Sequence, residues 1–108
     1  MIELKVSRDN NSRVCAVHCH GHAEMAGEAE YDLVCASVSI TVQSVYLAIK
    51  EHLHRDVVYH RASGDFQIKL QDEADDLTEA VFATMVLGMK NIAMQYPGVV
   101  RITEVGGE

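Results

Sequence analysis

The feature of this sequence that most constrains its fold is a long apolar segment with helical spacing. It begins after Asp32, a residue type that caps helices, and extends to about Glu51. Its apolar positions recur at intervals of three and four residues and form one wide face: Leu33, Val34, Ala36, Val38, Ile40, Val45, Leu47 and Ile49. A face of this kind is typical of a helix that packs against other secondary structure, so the segment predicts a buried core helix.

Shorter patterns on either side of this segment predict strands and one further helix. The predicted elements in chain order are strands at 2–7 and 14–18, the first helix, strands at 56–60 and 65–70, a helix opened by acidic residues 72–76, and a strand at 100–105. Gly64 supplies the turn of the second strand pair, and Pro97 ends the second helix. We therefore predict a single α+β domain over residues 1–108, of order β-β-α-β-β-α-β, with two helices packed on a mostly antiparallel sheet.

The charge and cysteine content exclude several classes of function. Nine Lys and Arg against sixteen Asp and Glu give a net charge of -7, which disfavours a nucleic-acid partner and favours a basic one. Three cysteines cannot all pair within the chain, so we expect a reduced, cytoplasmic protein. The N-terminus has no signal-peptide pattern, and no apolar run is expected to reach the roughly 20 residues that span a bilayer. No membrane association is therefore expected.

Reactive side chains are concentrated in one fifth of the chain. All three cysteines and three of the six histidines lie within residues 15–35. One interpretation is a metal site, because His18, His20 and His22 alternate along a predicted strand and would share one face. The strand is expected to end near Gly21, however, and no CxxC pair is present. Metal binding is therefore the weaker interpretation.

A second interpretation is a cysteine nucleophile. Cys35 would occupy the first turn of the predicted helix, where free amide groups and the helix dipole favour a thiolate. His22, which follows Gly21 at the strand end, is the best placed base, and Asp32 would either cap the helix or orient the imidazole. Ser39 lies one turn further, to contact substrate or to bond to the carbonyl four residues earlier. The residues alone equally allow Cys35 to be a buried structural thiol, as the other two cysteines are expected to be.

Two blocks of this region resemble the signature of the ribosomal-processing cysteine proteases known as Prp. The first is Gly-His-Ala at residues 21–23, and the second is DLVCASVS at residues 32–39. In that family the first block ends a strand, a short flexible loop follows, and the second block opens the first helix. The length, the acidic balance and the order of elements are also similar, so the resemblance covers the whole chain.

The resemblance implies a set of functional residues. Cys35 would be the nucleophile and His22 the general base, with Gly21, Asp32 and Ser39 in supporting positions. The implied activity is that of an endopeptidase that removes a short N-terminal extension from a basic large-subunit ribosomal protein, the twenty-seventh in the subunit's naming. The resemblance also implies a homodimer, and it implies neither a cofactor nor a metal.

The residues between the two blocks would form a loop that orders over bound peptide. The loop would span residues 23–31, and its candidate substrate contacts are Glu24, Gly27, Glu28 and Glu30. It is one residue longer than the common pattern, and Glu30 stands where the family usually has glycine. Two alternatives to the protease stay open: a non-enzymatic dimeric interaction module of the same fold, and a small metal-binding protein that uses its histidines and cysteines.

Overall fold

The computed structural model describes residues 1–24 and 27–106, apart from the side chain of Ala29. Its elements are β1 (Ile2–Arg8), β2 (Val14–Gly21), α1 (Glu28–Leu47), a π-helical turn (Ala48–His52), β3 (Val57–Ala62), β4 (Asp65–Leu70), α2 (Asp76–Gln95) and β5 (Val100–Gly106). The predicted order of strands and helices is confirmed.

The strands form one five-stranded mixed sheet of order β3-β4-β2-β1-β5. The β1–β5 pair is parallel and the other three pairs are antiparallel, which confirms the predicted mostly antiparallel sheet. Alternate residues of β1, namely Ile2, Leu4 and Val6, are fully buried and belong to one core cluster with Val34 of α1 and Phe82 of α2. Both helices therefore cover the same face of the sheet.

The first helix buries a narrower face than its sequence pattern predicts. Its core residues, including those of the π-helical turn, are Val34, Val38, Val42, Val45 and Ile49. Leu33, Ile40 and Leu47 are instead 55%, 64% and 51% exposed. The difference has a simple cause, because the helix packs on the sheet along one side and no second layer formed by the described residues covers the other.

This exposed apolar surface bears on the expectation about membranes. The most apolar 18-residue stretch within the segment 30–52 has a mean hydropathy of 1.6, and that within α2 has one of 1.2. By length and composition, both helices could cross a membrane. The expectation that no apolar run reaches this length is therefore corrected. The core helices of soluble proteins pass the same test, and here both pack one face on a sheet. The absence of membrane association stays a prediction.

The start of α1 differs from the prediction. The helix begins at Glu28 with Gly27 as its N-cap, so the predicted cap, Asp32, is the fifth helical residue. Glu28 and Glu30 lie in the first turn, where carboxylates interact favourably with the helix dipole. The Glu30 carboxylate also lies against Gly27, as expected for a glutamate at the third helical position. The last four residues of the predicted loop, 28–31, are therefore helical.

Candidate active site

A cavity of about 680 Å³ opens where the end of β2, the first half of α1 and the β3–β4 turn meet. It is lined by Ile2, Cys19, Gly21, His22, Tyr31, Cys35, Val38, Ser39, Arg61, Ala62, Ser63, Gly64 and Phe66. Four of the five predicted catalytic and supporting residues, Cys35, His22, Gly21 and Ser39, meet here, and Asp32 does not. The cavity is therefore the candidate active site.

The Cys35 side chain lines this cavity, but the residue lies beyond the first turn of α1. It is the eighth residue of α1 and is half-buried. At 1.5 Å per residue, the free amides of the first turn lie about 10 Å away along the helix axis. The prediction that these amides favour a Cys35 thiolate is therefore wrong, because the helix starts earlier than its predicted cap.

The chain turns at Gly21, the last residue of β2, so His22 lies outside the strand. Its φ is +105°, and a side chain there would collide with the Met1 carbonyl oxygen. Its N–H donates a hydrogen bond of 2.9 Å to the Gly64 carbonyl. A glycine is therefore required at this position, and a supporting role of Gly21 in catalysis stays a prediction.

Gly64 forms one wall beside the His22 imidazole. Its φ of +67° matches the predicted turn. A β-carbon at this position would lie 2.6 Å from both Cε1 and Nε2 of His22, closer than real contacts allow. Sequence reasoning assigned Gly64 to the turn alone, because the sequence does not show that this turn lies against the histidine.

Tyr31 lines the cavity one helical turn before Cys35. Sequence reasoning missed it, because a helix starting after Asp32 would leave Tyr31 in a loop, without a fixed spacing to the thiol. Burial is the main cause that raises the pKa of the Tyr31 phenol, followed by the charge of Cys35 and, among smaller causes, a side-chain contact with Cys35. The phenol and the thiol therefore both belong to the lining of the cavity.

Ser39 lies one turn after Cys35 on the same helix. Its hydroxyl oxygen accepts a hydrogen bond of 2.7 Å from the Gln43 side-chain amide. The predicted bond to a carbonyl four residues earlier is made instead by Ser37, to Leu33, at 2.8 Å. The Ser39 hydroxyl proton therefore remains available to an acceptor in the cavity.

The other predicted supporting residue lies outside the cavity. Asp32 is exposed, and within the described part of the chain it neither caps α1 nor bonds to His22. Both roles expected for Asp32 are therefore wrong in this structure.

The predicted substrate-loop residues that the structure describes also lie outside the cavity lining. Glu24 is exposed and pairs with the N-terminal amine, and this hydrogen bond is the main cause that lowers the pKa of Glu24. Gly27, Glu28 and Glu30 form the start of α1, where Glu30 has helical backbone. The usual glycine is therefore not needed at position 30 for a positive φ. Residues 25–26 of the predicted loop lie outside the described residues.

The remaining cysteines have environments typical of structural thiols. Cys19 is 2% exposed, and burial, with a smaller effect of the Asp65 charge, raises its pKa to about 12. Cys15 lies in β2 where the pairing register with β1 shifts, between Ser7 and Arg8. Its thiol donates a hydrogen bond of 3.4 Å to the Ser7 carbonyl oxygen. The two thiols therefore do not share one strand face, because the register shift lies between them.

The three histidines proposed as metal ligands are divided between two places. His18 and His20 lie on the outer sheet face, where their Nε2 atoms contact Asp65 at 2.6 Å and Glu3 at 3.5 Å. His22 lies in the cavity, on the far side of the Gly21 turn. Among the described residues, no group of three His, Cys, Asp or Glu side chains has the arrangement of a metal site.

Comparison with known proteins identifies similar sequences. The family model described as cysteine protease Prp matches residues 1–101. The ribosomal processing cysteine protease Prp of Staphylococcus aureus is 29% identical over 104 residues, which are 94% of this chain and 97% of that protein.

Solved structures show the same fold. A crystal structure of the Staphylococcus aureus protease with a covalently linked product peptide has a TM-score of 0.86 at 24% identity, covering 97% of this chain and 100% of that one. A crystal structure of a Streptococcus mutans protein has a TM-score of 0.83 at 24% identity and covers 97% of both chains.

Proposed function

Because the chain belongs to the cysteine protease Prp family, we propose that Cys35 and His22 are the dyad of an endopeptidase that processes a ribosomal protein. The proposed substrate is the twenty-seventh protein of the large subunit, cleaved at the end of an N-terminal extension. The observation that carries this proposal is the cavity shared by Cys35 and His22, beside Ser39. The related Staphylococcus aureus protein is a ribosomal processing protease, and its crystal structure holds a product peptide.

In the proposed mechanism, His22 takes the proton of the Cys35 thiol. The sulfur then attacks the scissile carbonyl carbon, a carbon–sulfur bond forms, and the carbonyl oxygen becomes an oxyanion. The imidazolium returns its proton to the leaving amine as the peptide bond breaks. Water, activated by the same histidine, hydrolyses the thioester and restores the thiol.

The oxyanion requires hydrogen-bond donors close to Cys35. The free amides of α1 are about 10 Å from that residue along the axis, so they do not serve. We assign this role to the Ser39 hydroxyl, which lies one turn after the nucleophile. Gln43 donates to the Ser39 oxygen, which leaves the hydroxyl proton directed to another acceptor.

Charge supports a basic protein substrate. The net charge of -7 would attract such a substrate and make the association rate sensitive to salt. All three cysteines are free, which suits the reduced cytoplasm that we propose as the location. The proposal involves no nucleic acid and no membrane.

We also propose that two copies of the chain pair through their helix layers. The outer faces of α1 and α2 expose six large apolar side chains: Leu33, Ile40, Leu47, Leu77, Leu87 and Met94. A groove of about 450 Å³ lies between the helices and includes Ile40, Val45 and Val81. Residues 33–47 contain no charged side chain, so a second apolar helix layer is the complementary surface.

The test of the protease is cleavage of a peptide that spans the proposed extension junction. Wild type and Cys15→Ala are expected to cut it, whereas Cys35→Ala and His22→Ala are expected to lose activity by a factor of at least about 1,000. The Cys15 variant is a matched control, because it removes a thiol outside the cavity. Binding of the peptide by wild type without cleavage would contradict the protease and favour the dimeric interaction module.

A further inference from the structure

We propose that Tyr31 is a further catalytic residue, whose hydroxyl donates a hydrogen bond to the Cys35 sulfur and stabilises the thiolate. This inference rests on the proposed dyad and concerns how its nucleophile is held. It assigns to a side chain the stabilisation that the amides at the start of a helix would otherwise supply.

Tyr31 and Cys35 lie on one face of α1. Because this helix begins at Glu28, Tyr31 and Cys35 are helical residues four positions apart, and such residues lie one above the other on one helix face. Both side chains are half-buried, pack against the core cluster and line the same cavity. The helix therefore carries the phenol and the thiol on one face, and both line the same cavity.

A Cys35 thiolate needs a hydrogen-bond donor at this place. The helix amides lie about 10 Å away, and His22 has the separate task of taking the proton. Arg61 also lines the cavity, but no described contact joins it to Cys35.

The Tyr31 phenol must stay protonated to donate this hydrogen bond. Burial, then the charge of Cys35, raises the pKa of Tyr31 above its usual value of 10, so the phenol keeps its proton across the neutral range. In the proposed step, the Cys35 proton passes to His22, and Tyr31 retains its own proton throughout. As the carbon–sulfur bond forms, charge moves from the sulfur to the carbonyl oxygen, and the bond from Tyr31 weakens.

The test is the pH profile of Cys35 alkylation in wild type and Tyr31→Phe. Iodoacetamide is applied from about pH 5 to about pH 10, and the modified cysteine is identified by peptide mass spectrometry. In the variant we expect alkylation at pH 7 to slow about fivefold, with the profile moved to higher pH. At the alkaline plateau, its rate is expected to equal or exceed that of wild type, because a less stabilised thiolate is more nucleophilic.

Two controls make the outcome decisive. Tyr96→Phe removes a phenol hydroxyl outside the cavity and is expected to leave the profile unchanged. Arg61→Gln is also expected to leave it unchanged, and a shift in that variant instead of Tyr31→Phe would assign the stabilisation to the guanidinium. Superposed profiles for wild type and Tyr31→Phe, or an equal loss at every pH, would overturn the inference.

Alkylation needs no peptide, so this inference and the proposed function fail separately. If wild type cleaves the junction peptide while Tyr31→Phe keeps the wild-type profile, the dyad stands and the role of Tyr31 does not. If the profile shifts but wild type leaves the peptide intact, Tyr31 stabilises a reactive thiol that is not a protease nucleophile.

Discussion

The imidazole of His22 lies against the backbone of Gly64, with no room for a β-carbon between them. A Cβ built on Gly64 would come within 2.6 Å of the Nε2 and Cε1 atoms of the ring. The same glycine accepts the Gly21 N–H bond, so the turn between β3 and β4 is joined to the chain next to the proposed base. Gly64 therefore sets one limit on where the imidazole can lie.

Gly64→Ala is expected to lower kcat/KM for the junction peptide by between about tenfold and about 100-fold. The added methyl group must displace the His22 ring, and shifts of about 1 Å in a catalytic group have effects of this size. Gly98→Ala is the matched control, because Gly98 also has a positive φ but has nothing within 4 Å of an added Cβ. Equal losses of activity in the two variants would show that backbone strain, and not the contact with His22, is responsible.

Ser39→Ala is expected to lower kcat about 100-fold with little change in KM, because an oxyanion donor acts mainly in the transition state. Ser37→Ala removes a hydroxyl from the same helix that bonds to the Leu33 carbonyl, and it should retain activity. Steady-state kinetics on the junction peptide measure both. A rise in KM alone for Ser39→Ala would instead place the hydroxyl in substrate binding.

The three thiols are expected to react at different rates. At pH 8 the buried Cys19, with a pKa of about 12, has roughly one thiolate in 10,000 molecules, so its labelling should be very slow. Cys35 is expected to be labelled faster than both Cys19 and the half-buried Cys15. Site-resolved labelling with a maleimide measures the order, and equal rates for all three would argue against an activated Cys35.

The cap of α2 predicts a specific pH dependence of stability. The Asp75 carboxylate accepts hydrogen bonds from the backbone of Thr78 and Leu77 and pairs with Arg55, and the Thr78 bond is the main cause that lowers the pKa of Asp75. A lowered pKa in the folded state means that this stabilisation is complete above the unfolded pKa near 3.9 and is lost as the pH falls below it.

Two substitutions of Asp75 separate the cap from its charge. Asp75→Ala is expected to reduce the free energy of unfolding at pH 7 by about 1 kcal/mol, whereas Asp75→Asn keeps an accepting oxygen and should lose less. The Asn variant should also show a smaller decline in stability between about pH 5 and about pH 2. Urea denaturation across this range measures both effects, and identical pH profiles for wild type and Asp75→Asn would contradict the assignment.

The proposed pairing of helix layers predicts an effect on oligomeric state. Ile40→Glu is expected to convert a dimer to a monomer, since it places a charge in the middle of the exposed apolar surface. Val58→Glu is the control, because Val58 is similarly exposed but lies on the edge strand β3. Light scattering coupled to size exclusion measures the mass. A monomeric wild type, or one that sediments with lipid vesicles, would contradict the proposed interface.

The order of the elements could be predicted because side-chain periodicity is a local property. Ile2, Leu4 and Val6 alternate with polar residues, and the structure buries all three on one sheet face. The start of α1 could not be predicted in the same way, because its N-cap is Gly27, which has no side chain to mark it. Glu28 and Glu30 in the first turn are equally typical of a loop, so the sequence pattern predicts Asp32 as the cap.

The sequence predicts the two candidate reactive residues of the site, but not the side chains that surround them. By resemblance, residues 21–23 and 32–39 predict that Cys35 and His22 are the reactive pair, and both line one cavity in the structure. The amides at the start of α1 do not activate Cys35, because the helix begins at Glu28 and not after Asp32. Tyr31 went unnoticed for the same reason.

The sequence by itself determined the number and order of strands and helices and the identity of two candidate reactive residues. The tertiary structure decided what surrounds them. Gly64 meets His22 because β2 pairs with β4 in a register that places His20 opposite Asp65. That pairing joins residues far apart in the chain, and the choice of partner strand depends on how the whole sheet buries its core face. Local patterns determine the strands, whereas their packing determines the walls of the site.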